Sequence, residues 1–226
     1  MRKSFILILA AAMAVTSCIL DDPEYSVTNV NNYLNYNDGI LMNDAGVTFT
    51  VKEDLTDTKW KAEGNRFYAT FDILNIGYDI CLKSYLETII QNAEPLPEVE
   101  GEEGIHGDPV SIVDCCLSGI YLNLIIGFYA KAGTDNAHDM HLYWKDDHST
   151  LSLVLIHNGN GENPVAMDIN DMTFLTRVYC FPIYDLVMPG EQRSVVLSID
   201  ALAKESDGTY VSKPFTSSVY GGMVTF

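Results

Sequence analysis

The chain contains few basic residues and an excess of acidic ones. Its 226 residues include 13 Lys and Arg against 31 Asp and Glu, which gives a formal net charge of −18. A field of this sign repels the phosphate backbone of nucleic acids and the surface of anionic lipids. We therefore expect no nucleic-acid ligand, and a protein, peptide or glycan remains as the candidate partner.

Motifs for catalysis and cofactor binding are missing as well. The sequence has no G-x-S-x-G, H-E-x-x-H, Walker or dinucleotide-binding glycine motif. Its acidic residues are so plentiful that no single pair can be assigned as glycosidase carboxylates. The sequence predicts neither an enzyme nor a bound cofactor, and it does not identify the ligand.

The chain also lacks an apolar run long enough to span a bilayer. A short apolar segment from Phe5 to Val15 follows Arg2 and Lys3, which is typical of a secretory signal peptide. Val15-Thr16-Ser17-Cys18 then completes a lipobox, so residues 1–17 are predicted to be removed and Cys18 to be lipidated. Several acyl chains give stable membrane attachment. An ordinary signal peptide with a chance cysteine is the alternative.

The residues after Cys18 bear on where the anchored protein resides. Asp21, Asp22 and Glu24 resemble the surface-export signal of lipoproteins from the Bacteroidota, and no Asp directly follows the cysteine as an inner-membrane retention cue. Charge runs of this kind are also typical of a solvated tether. We predict a lipid-anchored protein of the outer membrane or cell surface, and the leaflet it faces stays open.

Four cysteines remain once Cys18 is acylated: Cys81, Cys115, Cys116 and Cys180. Export permits disulfides, and a bridge from Cys115 or Cys116 to Cys180 is one hypothesis. Adjacent cysteines on a strand point to opposite faces, so at most one of the two shares a face with Cys180. Buried free thiols are the other hypothesis, and no nearby base indicates a catalytic thiol.

Alternation of apolar and polar residues dominates the remaining chain, and long helical periodicity is absent. Turn residues such as Asn37-Asp38-Gly39 and Asn158-Gly159-Asn160-Gly161 separate the alternating segments. This pattern predicts an all-β protein built as a barrel or a sandwich. The predicted strands contain Val47–Val51, Phe67–Ile73, Ile80–Ile90, Leu122–Phe128, Met140–Trp144, Leu151–Leu155 and Val195–Ile199. In the strand with Ile80–Ile90, Leu86 and Ile90 are predicted to share the buried face of Ile80 and Leu82.

One break in composition divides the chain. Glu94 to Asp108 has six acidic residues, no basic residue, two prolines and three glycines, so it cannot bury a core. We predict a tether at 18–24, a first domain at 25–93, an acidic linker at 94–108 and a second domain at 109–226. The first domain's aromatic residues Tyr33, Tyr36, Trp60 and Tyr68 are predicted to pack against one another rather than to form a ligand platform.

Two polar clusters could suggest metal ligands. His138 and His141 would chelate from one helix face, but the alternation that follows them indicates a strand, where they would point apart. We therefore predict surface or strand-edge histidines and no metal site. The stretch Asp168-Ile169-Asn170-Asp171 lacks the glycine and distal glutamate of a calcium loop, so we predict a turn there.

Five features of the chain form one pattern: the lipobox, Gly64–Leu74 (GNRFYATFDIL), Tyr121–Ile126 (YLNLII), His138, and Leu151–Glu162 (LSLVLIHNGNGE). Together they resemble the NigD-like lipoproteins of the Bacteroidales. The resemblance implies a small N-terminal OB-like barrel followed by an antiparallel β-sandwich, in agreement with the predicted linker.

The family pattern also marks individual positions. It matches His138, His157 and Asn158, and a turn-bracing role for His157 and Asn158 is favoured over ligand contact. Gly161-Glu162 replaces the usual Gly-Asp, which leaves the role of this loop open. The founding member is associated with bacteriocin immunity, so the resemblance implies a non-enzymatic binding or accessory role. A structural subunit of a surface assembly is the alternative, and a glycan-acting hydrolase is a weaker one.

Overall fold

The described part of the chain folds mainly into β-strands. The computed structural model describes residues 26–98, 105–134, 137–147, 149–186 and 194–219, so the predicted leader and Cys18 lie outside the described residues. Within these ranges no helix has the length and hydropathy needed to cross a membrane. The strands are β1 (Val27–Asn37), β2 (Ile40–Asn43), β3 (Thr48–Asp54), β4 (Asn65–Ile73), β5 (Asp79–Ile90), β6 (Glu94–Pro95), β7 (Ser111–Ser118), β8 (Tyr121–Ala130), β9 (Asp139–Asp146), β10 (Thr150–Asn158), β11 (Thr173–Pro182), β12 (Ser194–Lys204) and β13 (Tyr210–Ser218).

The first five strands close into a small barrel. Their order is β1-β2-β3-β5-β4, with β4 pairing back to β1 and with β3 and β5 running parallel. A 3₁₀ turn at Lys59–Lys61 inserts Trp60 into the core. Strand order and closure confirm the predicted OB-like barrel. Its fully or almost fully buried residues are Leu34, Leu41, Phe49, Trp60, Phe67, Ala69, Phe71, Ile80 and Leu82.

The second half of the chain forms a β-sandwich. One layer contains β11, β8 and β7 and continues from β5, while the other has the order β13-β12-β10-β9-β6. Alternate residues of β8, from Leu122 to Phe128, pack against Leu142, Leu153 and Leu197 of the second layer. The predicted β-sandwich is confirmed, although β10 and β12 run parallel within an otherwise mostly antiparallel arrangement.

A bulge in β5 corrects one detail of the predicted barrel. Thr70 pairs with Ser84 but its neighbour Phe71 pairs with Leu82, so Lys83 is an extra residue in β5. Beyond one extra residue, the other set of alternate side chains along the strand faces the core. Leu86 and Ile90 are consequently 44% and 48% exposed, and the prediction that they share the buried face of Ile80 was wrong.

The described ends of the predicted acidic linker are bound to the sandwich. Glu94–Pro95 pairs with β9, and the Leu96 amide donates to the Trp144 carbonyl at 2.8 Å. At the other end the Asp108 amide donates to the His157 carbonyl, also at 2.8 Å. Residues 99–104 lie outside the described residues, and the predicted domain boundaries stay a prediction.

The barrel and the sandwich meet through an aromatic and a polar layer. Tyr33 and Tyr68, whose ring centroids are 5.0 Å apart, pack from the outer barrel face on Ile125, Val178 and Cys180. Tyr36 packs edge-on against Trp60 at 5.5 Å. The four aromatic residues thus pack as predicted, and one pair of them forms part of the junction between the two units.

Arg66 is the centre of this junction. Its side chain is 1% exposed, and its guanidinium donates to both carboxylate oxygens of Asp44, with Nη2 2.7 Å from Oδ2. From the sandwich, Asn123 Oδ1 accepts from Nη2 at 2.9 Å and Cys180 Sγ accepts from Nε at 3.3 Å. The guanidinium also lies 4.2 Å from the ring centroid of Tyr121. Arg66 therefore bonds to both units at once.

Asp44 is held as firmly as Arg66. Ser118 Oγ of the sandwich donates to its Oδ2 at 2.6 Å, and Asn35 Nδ2 of the barrel donates to its Oδ1 at 3.0 Å. Burial opposes ionisation of Asp44, but the hydrogen bonds and charge of Arg66 outweigh burial and hold the pKa of Asp44 below its usual value. The buried pair is therefore fully ionised and fully hydrogen-bonded at the carboxylate.

We expect Asp44→Asn to lower the free energy of unfolding by about 3–5 kcal/mol, because it leaves the Arg66 charge buried without its counterion. Denaturant unfolding followed by circular dichroism measures this loss. A double variant, Asp44→Leu with Arg66→Met, should lose less than the sum of the single losses. Lys213→Gln, which removes an exposed partner of Glu205, is the control and should leave the midpoint unchanged. Equal losses for Asp44→Asn and Lys213→Gln would contradict the central role of the pair.

Candidate functional site

Two of the three positions marked by the family pattern come together at one end of the sandwich. His138 lies just before β9 and His157 near the end of β10, and both are 3% exposed. Their rings stack at a centroid distance of 5.1 Å, and His138 Nδ1 is 2.9 Å from His157 Nε2. Phe128 stacks on His138 at 4.9 Å. The expectation of a surface histidine at position 138 was wrong, because Phe128 and His157 enclose the ring.

Glu162 completes this cluster and fixes the position of one proton on His138. Its Oε2 lies 3.1 Å from His138 Nε2 and also accepts from the Lys131 amide and from Thr134 Oγ1. Because a carboxylate only accepts, His138 donates to Glu162 through Nε2. The residue that departs from the family's usual Gly-Asp therefore fixes the loop after β10 to the connection between β8 and β9.

Asp108 and Asn158 brace the same loop. The Asp108 carboxylate accepts from the Gly159 amide at 2.9 Å and from Asn163 Nδ2 at 2.8 Å. Asn158 Oδ1 accepts from the Asn160 amide at 3.0 Å, which is a local turn contact. The geometry agrees with the predicted turn-bracing role of Asn158. His157 contributes through its carbonyl to Asp108 and through its ring to His138.

The environment of His157 disfavours its charged form. Burial and, to a smaller extent, the neighbouring His138 lower the pKa of His157 to about 4, against an opposing effect of Asp108. The ring is therefore neutral at physiological pH. For Glu162, burial is outweighed by the donors Lys131, His138 and Thr134, so the pKa of this carboxyl lies below its usual value.

The contacts of this cluster indicate a structural role rather than metal binding or catalysis. The facing nitrogens of the two histidines are at hydrogen-bond distance, which leaves no space for an ion between them. No group of three or more His, Cys, Asp or Glu in the described ranges is arranged to hold a metal. The rings are almost inaccessible, so no substrate can reach them without a rearrangement of the loop.

An open, shallow cleft lies on the barrel near the bulge of β5. Its volume is about 520 Å³, and it is lined by Thr56, Asp57, Lys83, Ser84, Tyr85, Leu86 and Glu87. Tyr85 donates to Asp57 Oδ1 at 2.6 Å, and this hydrogen bond holds the pKa of Asp57 below and that of Tyr85 above its usual value. A glycosidase acid needs a raised pKa, so Asp57 does not suit that role.

The four described cysteines are free thiols. Cys116 of β7 and Cys180 of β11 are both paired with Asn123 of β8, so they flank one central strand. Two strand spacings amount to roughly 9–10 Å, beyond the Cα separation of about 7 Å that a disulfide spans. Cys115 points the other way, into the sandwich core. The bridge from Cys115 or Cys116 to Cys180 is thus absent, and the free-thiol hypothesis describes the structure.

The thiols are also poor nucleophiles. Burial raises the pKa of Cys115 to about 12 and that of Cys116 to about 11. Burial likewise raises the pKa of Cys180, although Arg66 acts in the opposite direction. A reactive cysteine requires the thiolate form. Cys115 packs against the apolar core of the sandwich instead, and Cys180 accepts the hydrogen bond from Arg66.

The strand orders and the buried loop cluster define a class of protein: a two-unit β protein in which an OB-like barrel and a sandwich share one strand. Residues 92–175 match the model of the NigD-like C-terminal beta sandwich domain. This match confirms the resemblance to NigD-like proteins that the sequence motifs indicated. No curated protein sequence matches the chain significantly.

Solved structures support the same fold. A NigD-like immunity protein from Bacteroides caccae is similar with a TM-score of 0.59 and 18% identity, over 85% of this chain and 98% of that one. A protein of unknown function, DUF1344, from Bacteroides vulgatus gives 0.58 and 16% identity over 85% and 91% of the two chains. A candidate lipoprotein from Bacteroides fragilis gives 0.55 and 12% identity over 86% and 99%. At these identities the likeness establishes the fold, and none of the three names describes an enzyme.

We expect stability to fall as the pH decreases from about 6.5 to about 4 because of His157. The unfolded histidine binds a proton near the upper value and the folded one only near the lower value, so protonation favours unfolding between them. The contribution is complete above the upper value and is on the order of 3 kcal/mol. Unfolding free energies across this range should show a weaker slope for His157→Gln. The exposed His106→Gln is the control, and an unchanged slope in His157→Gln would refute this account.

We expect the unreduced mature protein to show free thiols at positions 81, 115, 116 and 180 when it is titrated with a thiol reagent in denaturant. The native protein should react far more slowly at mildly alkaline pH, because burial keeps the thiols protonated. Two fewer reactive thiols in denaturant, restored by prior reduction, would demonstrate a disulfide and contradict the structure.

Proposed function

We propose that the protein is a lipid-anchored protein of the outer membrane or cell surface that binds a ligand without catalysing a reaction. The lipobox at Val15–Cys18 supports the anchor, and so does the fold shared with a candidate lipoprotein. Cys18 would carry the lipid, and the described barrel and sandwich would form the part that meets the ligand.

Binding of a cationic peptide is the concrete form of this proposal, in the role of immunity against a bacteriocin. The observation that carries it is an open, shallow cleft on a strongly acidic protein. Such a field raises the local concentration of cationic ligands, and an open cleft suits an extended chain better than an enclosed small molecule. The similarity to a NigD-like immunity protein supports the same role.

Several features argue against catalysis. The histidine cluster is sealed, the thiols are protonated, and Asp57 is stabilised as a carboxylate by Tyr85. A catalytic group needs both a suitable pKa and access to substrate. No described group combines the two, which supports a binding role over a glycan hydrolase.

A subunit role in a surface assembly is the second candidate, favoured by the exposed edge strand β13. Seven of its nine residues are exposed, including Phe215 at 47%. Unpaired strand edges can add a partner strand, but β13 also carries Lys213 and Pro214, which protect edges from pairing. Crosslinking on intact cells distinguishes the two roles, since only the assembly hypothesis requires a constant envelope partner.

Two matched measurements test the proposal. A deletion strain should become more sensitive to cationic bacteriocins, wild-type protein should restore resistance, and Cys18→Ala should fail to do so because it cannot be acylated. Cys81→Ser is the control for loss of a cysteine. Unchanged sensitivity of the deletion strain would refute the immunity role, and an unmodified Cys18 in native protein would refute the anchor.

The cleft itself is tested by charge removal at two places. Asp57→Asn with Glu87→Gln should weaken binding of a cationic peptide several-fold in titration calorimetry. Glu205→Gln with Asp207→Asn removes two charges from the distant, exposed turn between β12 and β13 and should weaken binding less. Equal weakening by both pairs would show that the overall field acts without the cleft.

A further inference from the structure

One end of the barrel exposes four apolar side chains in a group, which we call the barrel tip. It consists of Val27 at the start of β1 together with Leu74, Ile76 and Tyr78 between β4 and β5. Ile76 is 72% exposed, and the other three are 37–44% exposed. Isolated exposed apolar residues are ordinary on protein surfaces, whereas a group of them indicates a contact surface.

The loop that carries this group is braced by hydrogen bonds. The Leu74 amide donates to the Asp79 carbonyl at 2.8 Å, and Asn75 Oδ1 accepts from the Gly77 amide at 2.9 Å. Asn75 Nδ2 also donates to Asp79 Oδ2 at 2.9 Å. These bonds fix a tight turn with Ile76 near its apex, so the exposure of Ile76 is built into the loop.

The tip is also the place where the N-terminal segment joins the barrel. Val27 pairs with Ile73, directly before the loop at 74–78. The predicted lipidated chain starts at Cys18, so nine residues, 18 to 26, precede Val27. Fully extended, they span at most about 30 Å. A lipid on Cys18 would therefore keep the tip within that distance of the membrane.

The sandwich lies away from the tip along β5. This strand begins at Asp79, beside the tip, and its last residues, Thr88–Ile90, pair with β11 of the sandwich. Its twelve residues correspond to roughly 40 Å. The tip can thus approach a flat surface without the sandwich intervening.

Two carboxylates beside the tip are paired with lysines. Asp72 forms an ion pair with Lys83 at 2.7 Å, and Asp79 pairs with Lys52 at 3.6 Å. The Asn29 amide also donates to Asp72 at 2.8 Å. Paired carboxylates reduce the repulsion that the net charge would otherwise exert on a lipid surface, so apolar contact can dominate at this end.

We infer that the barrel tip rests on the lipid surface that holds the acyl chains of Cys18, with Ile76 and Leu74 inserted into the interfacial region. This inference rests on the proposed lipid anchor. This contact directs β5 away from the membrane. The sandwich then faces the compartment that contains the ligand.

Fluorescence quenching in vesicles tests this orientation. Acylated full-length mature protein would be reconstituted into phosphatidylcholine vesicles with and without bromine on the acyl chains. Ile76→Trp and Leu74→Trp place a fluorophore at the tip, and Val113→Trp places one at a similarly exposed site on β7 of the sandwich. Trp60 and Trp144 contribute a common background, which the unsubstituted protein measures.

We expect the tryptophan added at position 76 or 74 to lose more than half of its emission in brominated vesicles and to shift to the blue. The tryptophan at position 113 should do neither. Equal, weak quenching at all three sites in protein that sediments with the vesicles would overturn the inference while leaving the anchor intact. Wild-type protein that lacks a lipid on Cys18 by mass spectrometry would refute the anchor, and the inference with it.

Discussion

The buried ion pair between Arg66 and Asp44 is the interaction on which the arrangement of the two units depends. Removing two charges from water costs several kcal/mol per ion, and only complete hydrogen bonding with good geometry offsets that cost. Here the pair has two guanidinium–carboxylate contacts, and it has partners on both sides of the junction: Asn35 from the barrel, and Ser118, Asn123 and Cys180 from the sandwich. If the sandwich shifted against the barrel, these charged groups would lose partners while still buried. The pair therefore favours the observed relative position of the two units.

The continuity of the chain through β5 constrains the two units in addition to the Arg66–Asp44 ion pair. Because β5 belongs to the barrel at its start and pairs with β11 at its end, the two units share backbone as well as side-chain contacts. The loop after β10 is fixed in a similar way, through Glu162, His138 and Asp108, to segments distant in sequence. Both buried polar clusters thus add side-chain contacts to the connections that strand pairing makes. Exposed surfaces, namely the cleft, the edge strand and the tip of the barrel, remain as the places where a partner can be met.

Sequence patterns predicted the fold well where one local rule decides the structure. Alternation located the strands that contain Phe67–Ile73, Leu122–Phe128 and Leu151–Leu155, and turn residues such as Asp38-Gly39 adopt the positive φ values that hairpins need. Long-range effects were not predictable in this way. The bulge at Lys83 depends on how β4 pairs with β5, and the Asn-rich β1 has too little apolar character to stand out before its partners are known. Arg66 gives no local signal either, because Asp44 and Asn123 lie 22 and 57 positions away. His138 was expected at the surface because its partners, Phe128, His157 and Glu162, lie on other elements.

The placement of the groups with altered ionisation supports the proposed binding role. Catalysis requires a group that is both shifted in pKa and in contact with substrate. In this chain His157, Cys180 and Asp44 combine shifted pKa values with near-complete burial, and their partners serve the junction and the loop. In the open cleft, Tyr85 and Lys59 shift the pKa of Asp57 below its usual value, which does not suit the donation of a proton. Buried polarity thus maintains the shape of the protein, in agreement with the proposed role.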